Sequence, residues 1–322
     1  MSEDELTYAD AGVDIDRSES ATEALVSAVG DLGGGDYAGL VDIGDRFLGL
    51  ATDGVGTKLL VAEALSDYST IGIDCIAMNV NDLVAAGIEP VAFVDYLAVD
   101  EPDETVATQV GEGLAAGAEE AGIALVGGET AVLPEVVTGL DLAGTSAGFA
   151  TKDELFEGVA EPGDALVGFR SSGIHSNGLT LARKAATREH DYLDPFPLDP
   201  DRTVGDVLLE PTRIYTHLLE PLRTHGTRGA AHVTGGGWTN LKRLGDNRYV
   251  ITDPFDAQPV FAFIQEQGNV SNEEMHRTFN MGTGFVAALP PERATLLAEE
   301  TEGRIIGRVE DGDGVEIRGL KL

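Results

Sequence analysis

The chain has 322 residues, with 56 Asp or Glu against 21 Lys or Arg, a formal net charge of −35. Such a length suggests two domains, each with its own core; the apolar fraction of 43% and the dispersal of the acids exclude an acidic disordered chain, and the lack of a basic stripe argues against nucleic acid. No apolar run approaches the roughly 18 residues of a membrane span, and MSEDELTYAD lacks the basic and apolar regions of a signal peptide, so a cytoplasmic protein is expected. In chain order, SESATEALVSAV predicts a helix over 18–29, a Gly-rich loop follows at 33–39, and LVDIGDRFLGLAT predicts a hairpin around Gly44-Asp45. STIGIDCIAMNVNDLVAAG predicts a helix ending at Gly87, with Asp74, Met78, Asn81 or Asp82, and Ala85 on one face. VAFVDYLAV reads as a strand carrying one acid, DETVATQVGEGLAAGAEEAG as a helix, IALVGGET as a strand entering a turn, and LDLAGTSAGFA as a further strand.

Around TKDELFEGVAEPGD the composition turns polar, with Pro162-Gly163 as punctuation, which sets a boundary near residue 155 and domains 1–155 and 156–322. ALVGFRSSG then reads as a strand and loop, followed by helices near 177–189, 211–225 and 238–244. Interleaved elements in both halves predict two α/β domains with mixed sheets. The lone Cys75 reads as a small buried apolar residue. A folded chain this anionic repels itself at low ionic strength, so a saline cytoplasm and a salt-dependent fold are expected.

Six stretches pair glycine with a polar group: the loop at 33–39, DGVGTK, GGET, SSGIHSNG, TGGGWTN and TFNMGTG. Glycine lets backbone approach a ligand and offers its amide. One such stretch alone is usually a turn; six spread over both halves point to a ligand between domains. DGVGTK is not a P-loop, because Thr57 precedes Lys58, and it is not a dinucleotide fingerprint, because Leu59 stands where glycine or alanine is required. GGGDYA and GTGFVA fit G-x-G-x-x-[GA], but the first follows a helix and the second enters a strand.

Asp53, Asp82, Asp95 and Glu129 lie near these glycines. An acid inside VAFVDYLAV is paired, metal-bound or at an exposed edge, and scattered carboxylates near phosphate-seeking amides are what magnesium uses. An anionic protein that holds polyphosphate needs local cations, and Lys58, flanked by VGT and LLVA, is the candidate. No His or Cys spacing suggests zinc and no G-x-S-x-G a serine hydrolase. His175 in IHSNG and His232 before TGGG have the best local company, with a structural and a catalytic role equally open.

YADAGVDID, ATDGVGTKL, IGIDCIAMNVNDLVAAGIEPVAFVDYLA, LVGGETAVLPEV, SSGIHSNGLTLARK, LLEPTRIY, AHVTGGG and EMHRTFNMGTG, in that order, resemble the phosphoribosylformylglycinamidine cyclo-ligase (aminoimidazole ribonucleotide synthetase) family over nearly the whole chain. The resemblance implies a two-domain α/β subunit whose N-terminal sheets pair across a homodimer, with ATP and Mg²⁺ as cosubstrates and a K⁺ requirement left open. It implies that formylglycinamidine ribonucleotide closes to an imidazole after ATP phosphorylates the formyl amide oxygen. Carried over residue by residue, His175, Asp95, Asn177 and Lys58 belong to the reacting centre. Gly54, Gly56, Thr57, Glu129, Thr130, Ser176, His232, Gly235, Gly236, Gly237 and Asn240 contact ATP or substrate, and Asp53, Asp82 and Asp95 hold metal.

The sequence departs from the family at WTNLKR, where only Asn240 survives of an aromatic-Glu-Asn-Pro pattern, and at Thr145, where an aromatic is common. Other ATP-using relatives, thiamine-monophosphate kinase among them, and a non-catalytic nucleotide-binding subunit are the alternatives. The reactive cysteines of selenophosphate synthetase and of the hydrogenase maturation factor are missing.

Overall fold

A computed structural model describes residues 6–13, 15–29 and 37–322; residues 33–36 of the expected Gly-rich loop lie outside them. Among the described residues two mixed sheets organise the chain. The first has the order β1-β2-β5-β3-β4, built from β1 (Gly39–Asp42), β2 (Phe47–Gly54), β3 (Glu89–Val99), β4 (Ala124–Val132) and β5 (Leu140–Ala150). The β1–β2 hairpin forms around Gly44-Asp45, and β3 pairs in parallel with β4 and antiparallel with β5. GGET stays in β4 and does not turn, because its backbone continues the ladder beside Asp95–Leu97.

Short helices α1 (Tyr8–Ala11) and α2 (Ile15–Val29) precede this sheet. Inside it come α3 (Leu59–Leu65), α4 (Ile71–Ala85) and α5 (Glu104–Ala121). Asp103 caps α5 by accepting from Thr105 and Val106 amides, and Gly122 ends it in the left-handed region. Helices α4 and α5 cross very closely: a Cβ on Gly72 would lie 2.1 Å from the Leu114 nitrogen, so only glycine permits this approach.

The second sheet has the order β14-β13-β10-β12-β6-β11-β9. Its strands are β6 (Ala165–Arg170), β9 (Gly229–His232), β10 (Arg248–Ile251), β11 (Thr283–Leu289), β12 (Arg304–Glu310), β13 (Gly314–Ile317) and β14 (Leu320–Lys321); β7 (Pro195–Phe196) and β8 (Asp199–Thr203) form a separate ribbon. Residues 151–164, between the sheets, are turns and bends. Among the described residues no helix is long and apolar enough to cross a membrane.

Helix α4 is buried on almost every side, since the first sheet lies against one flank and the C-terminal half covers the other. One apolar cluster runs from Ile76 and Val80 on α4 through Val55 to Leu179 of α6 (Leu179–Ala186) and Phe279. Buried amides and acids on such a helix must find partners, and Asp74 and Asn81 find them in the chain at 210–215. That segment has no regular secondary structure, where the sequence suggested a helix, and helix begins only at Thr216 as a 3₁₀ turn. The reason is competition for its backbone: the Thr212 amide donates to Asp74 (2.8 Å), the Tyr215 amide donates to Asn81 (2.9 Å), and the Arg213 carbonyl accepts from Asn81 (2.9 Å). The expected helix at 238–244 is likewise a 3₁₀ helix, Gly237–Leu244.

Candidate active site

Three glycine-bearing loops meet on the polar side of α4. DGVGTK follows β2, and its Val55 carbonyl accepts from the Ser176 hydroxyl (3.0 Å), while Thr57 and Thr180 hydroxyls lie 3.0 Å apart. The HSNG loop is thereby joined to the DGVGTK loop. Asn177 reaches Met78 of α4, with Nδ2 3.6 Å from the sulfur, and stands over Gly235, where a Cβ would lie 3.2 Å from its Oδ1. TGGG follows β9 and is closed by Asn240, whose Oδ1 accepts from the Thr234 amide (2.8 Å). Asn240 therefore shapes the turn, and its carbonyl oxygen is already engaged. Gly237 (φ 52°) packs against the His276 carbonyl, which fixes the turn to the body of the C-terminal half.

The acids form two separate positions. In register across the first sheet run Asp53, Gly144, Asp95 and Gly128, one residue from each of β2, β5, β3 and β4. These residues share the face that looks at α4. Asp53 and Asp95 are two strands apart, on the order of 10 Å, and the Phe93 ring lies over Gly144 between them. Among the described residues no three His, Cys, Asp or Glu side chains converge on one metal position, so Asp53, Asp82 and Asp95 do not form a single assembled trio.

Asp53 instead meets α4, where Asn79 donates to its backbone carbonyl (3.2 Å) one turn before Asp82. Burial pushes the Asp53 carboxyl above the usual carboxylate range; its own amide contact with Gly54 opposes this, and the charge of Asp82 adds to it. Asp82 accepts from His232 Nδ1 (3.0 Å), and its side chain still reaches solvent. Neither acid makes a salt bridge to Lys or Arg among the described residues, although Arg243 is close enough to influence Asp53. Two carboxylates without a paired cation, beside the TGGG turn, fit a magnesium ion whose remaining ligands are phosphate and water. Burial likewise raises the Asp95 carboxyl, which stands over Gly128, where a Cβ would be 2.3 Å from its Oδ1.

Lys58 does not point at a phosphate. It is fully buried, with Nζ 2.7 and 2.9 Å from the two oxygens of Asp74 and 2.6 Å from the Glu210 carbonyl. The expectation of a phosphate-binding lysine is corrected by its low-dielectric surroundings, which demand an opposite charge in contact. His175 is also buried, at φ 66°, and Nε2 accepts from the Ser172 amide (3.2 Å). Among the described residues its other nitrogen has no hydrogen-bond partner, and burial holds its pKa well below the usual value, so it is neutral.

Glu129 and Thr130 stand apart from this cleft. Glu129 is the register partner of Tyr96 in the parallel pair, so both lie on the outer face of the sheet. Thr130 lines a separate groove of about 470 Å³ with Tyr68, Leu97 and Asp103. Asn79, which donates to the Asp53 carbonyl (3.2 Å), and Asp74, Asn81 and Thr212 were not singled out as site residues. The available signal was the polar run within NVND and one acid on a helix otherwise apolar enough to be buried.

Fold and cleft together define a two-domain protein of the AIR-synthase-related class. The AIR synthase related protein N-terminal domain matches residues 35–150, and the C-terminal domain matches residues 161–319. A phosphoribosylformylglycinamidine cyclo-ligase from Methanosarcina acetivorans is 46% identical over 99% of this chain and 99% of its own length. One from Pyrococcus furiosus is 48% identical over 98% and 99%. The chain belongs to the phosphoribosylformylglycinamidine cyclo-ligase family. The solved structure of AaThiL complexed with AMPPCP and TMP shares the fold (TM-score 0.70, 17% identity, 96% of each chain covered).

Proposed function

We infer that this protein is an ATP-dependent ligase that closes formylglycinamidine ribonucleotide to 5-aminoimidazole ribonucleotide, releasing ADP and phosphate in purine biosynthesis. The observation that carries this reading is the meeting of DGVGTK, HSNG and TGGG on α4, in a chain 46% identical throughout to cyclo-ligases. Transfer of the terminal phosphoryl group to the formyl amide oxygen makes that oxygen a good leaving group. The amidine nitrogen of the same molecule then forms the new C–N bond as the C–O bond breaks and phosphate departs. Folding both ends of one substrate together removes much of the entropic barrier.

Asp53 and Asp82 would hold magnesium, which supplies charge neutralisation on the triphosphate. Glycine amides of the DGVGTK and TGGG turns would hold the phosphates. Asp95, half-buried with a raised carboxyl pKa, is suited to exchange a proton with the amidine. Ser176 and Asn177, beside the buried His175, would form the wall opposite.

The subunit works as a homodimer in the cytoplasm, where ATP is available. The outer face of the first sheet exposes Leu50, Val94 and Tyr96 (40, 41 and 46%), and edge strand β4 is exposed along nearly its whole length. Such a face is a usual place for subunit pairing. Incubating the protein with formylglycinamidine ribonucleotide, ATP and Mg²⁺ should release ADP in step with aminoimidazole ribonucleotide. ADP release with thiamine monophosphate, and none with the amidine, would overturn the assignment in favour of a kinase.

A further inference from the structure

We propose that His232 is a positioning residue whose tautomer is set by Asn81 and which in turn aims Asp82 at the divalent cation of the nucleotide. The inference deepens the magnesium-nucleotide reading and rests on it. The hydrogen bonds form a directed chain. Asn81 Oδ1 accepts from the Tyr215 amide (2.9 Å), and Asn81 Nδ2 donates to the Arg213 carbonyl (2.9 Å), so two backbone groups of opposite kind fix which way this amide faces. The second hydrogen on Nδ2 faces His232 Nε2 at 3.4 Å. A nitrogen that meets a donor must itself accept, so Nε2 carries the lone pair and Nδ1 the proton. Nδ1–H then donates to Asp82 Oδ1 at 3.0 Å. One carboxylate oxygen is thereby held, which leaves the other as the ligand offered to the cation.

The partners come from both halves of the molecule. Asn81 and Asp82 are adjacent on α4, His232 ends β9, and Arg213 and Tyr215 belong to the irregular segment at 210–215. His232 is completely buried, so it is not a group that touches substrate. Its assignment as a ligand contact gives way to an indirect role. The docking of the C-terminal half onto α4 therefore determines the geometry of a cation site whose carboxylates are both N-terminal. A histidine that orients a metal-binding carboxylate typically changes affinity about 10–100-fold when lost.

The test uses Mn²⁺ as probe, titrated into the intact protein at saturating ADP and followed by its paramagnetic resonance signal, with no substrate and no turnover. The His232→Asn protein keeps an N–H near the Nδ1 position and should retain most of the wild-type affinity. The His232→Gln protein, whose amide reaches the Nε2 position instead, should bind Mn²⁺ about 10–100-fold more weakly. In an Asp82→Asn background the asparagine and glutamine versions should no longer differ. Equal Mn²⁺ affinity in the two folded variants, or a difference that persists without the Asp82 charge, overturns the proposal. A measurement on the unaltered protein is independent of whether any variant folds: ¹⁵N spectra of labelled histidine should show His232 protonated on Nδ1, and a proton on Nε2 refutes the chain. A protein that binds Mn²⁺ with ADP as described but closes no ring would remove the assigned reaction and leave this inference standing.

Discussion

Lys58 Nζ lies 2.7 Å from Asp74 Oδ2, and neither side chain has any solvent exposure. The pair ties the end of the DGVGTK loop to α4, and Asp74 also accepts from the Thr212 amide and hydroxyl (2.8 and 2.5 Å), so the bond extends into the C-terminal half. A charge held this way stabilises the cleft from behind. It leaves phosphate neutralisation to amides and to the divalent ion.

Removing one member of this pair strands the other in a low-dielectric interior. Lys58→Met should cost about 3–5 kcal/mol, read as a lower midpoint in denaturant. Lys58→Met with Asp74→Asn should recover part of that loss, because no buried charge is then unpaired and Thr212 keeps an acceptor. A direct phosphate ligand would behave differently: the single variant would keep its midpoint and show only a raised KM for ATP.

Gly128 and Gly144 flank Asp95 in the same row, and their substitutions should separate chemistry from stability. An added Cβ at Gly128 meets the mobile carboxylate of Asp95, whereas one at Gly144 meets the Phe93 ring at 2.0 Å. Gly128→Ala should leave the melting temperature nearly unchanged and lower kcat on the order of 100-fold, the cost of about 1 Å of misplacement. Gly144→Ala should destabilise by about 1–3 kcal/mol through overpacking. Calorimetry and steady-state kinetics on both proteins check the contrast.

Burial keeps His175 neutral in the folded protein, with its pKa depressed below 6.5. The unfolded chain takes up a proton below that value and the folded one does not. The stability that this residue contributes is therefore complete above pH 6.5 and is lost as pH falls from there toward the folded value. The slope should approach about 1.4 kcal/mol per pH unit. Denaturant midpoints between pH 7.5 and 5 should show it, and His175→Asn, which tolerates the positive φ, should flatten it.

The exposed outer face carries the dimer reading. Tyr96→Glu places a charge beside Val94 on the same exposed face without touching the α4 side of the sheet. Sedimentation should give a dimer for the unaltered chain and a monomer for the variant at micromolar concentration, with the fold of the subunit retained.

A net charge of −35 predicts a fold that depends on screening. At about 1 M salt the Debye length is roughly 3 Å, against about 10 Å at 0.1 M. The melting temperature should rise steadily with KCl across that range and fall on dialysis into dilute buffer. A flat response would show that the acidic surface is not limiting.

Much of the architecture was legible because its signals are local. The hairpin at Gly44-Asp45, the long helix ending before Gly87 and the strand carrying Asp95 each follow from periodicity and turn residues. The segment at 210–215 was not, since its helical pattern loses to Asp74 and Asn81, whose side chains capture its backbone from more than a hundred residues away. The GGET stretch was read as a turn for its glycines, yet a parallel neighbour supplies the ladder that keeps it extended.

The motifs, and with them the family and the need for cations near glycine turns, were present in residue order alone, because spacing and residue type survive without coordinates. Which groups act together was decided only by folding. Sequence proximity could not show that Asp53 meets α4 at Asn79, two strands from Asp95, or that Glu129 looks outward. Nor could it show that the one lysine in the glycine loop is consumed by an acid 16 residues on. Those outcomes depend on strand register and on the burial of α4 between two halves, and both are set by long-range packing that no local pattern encodes.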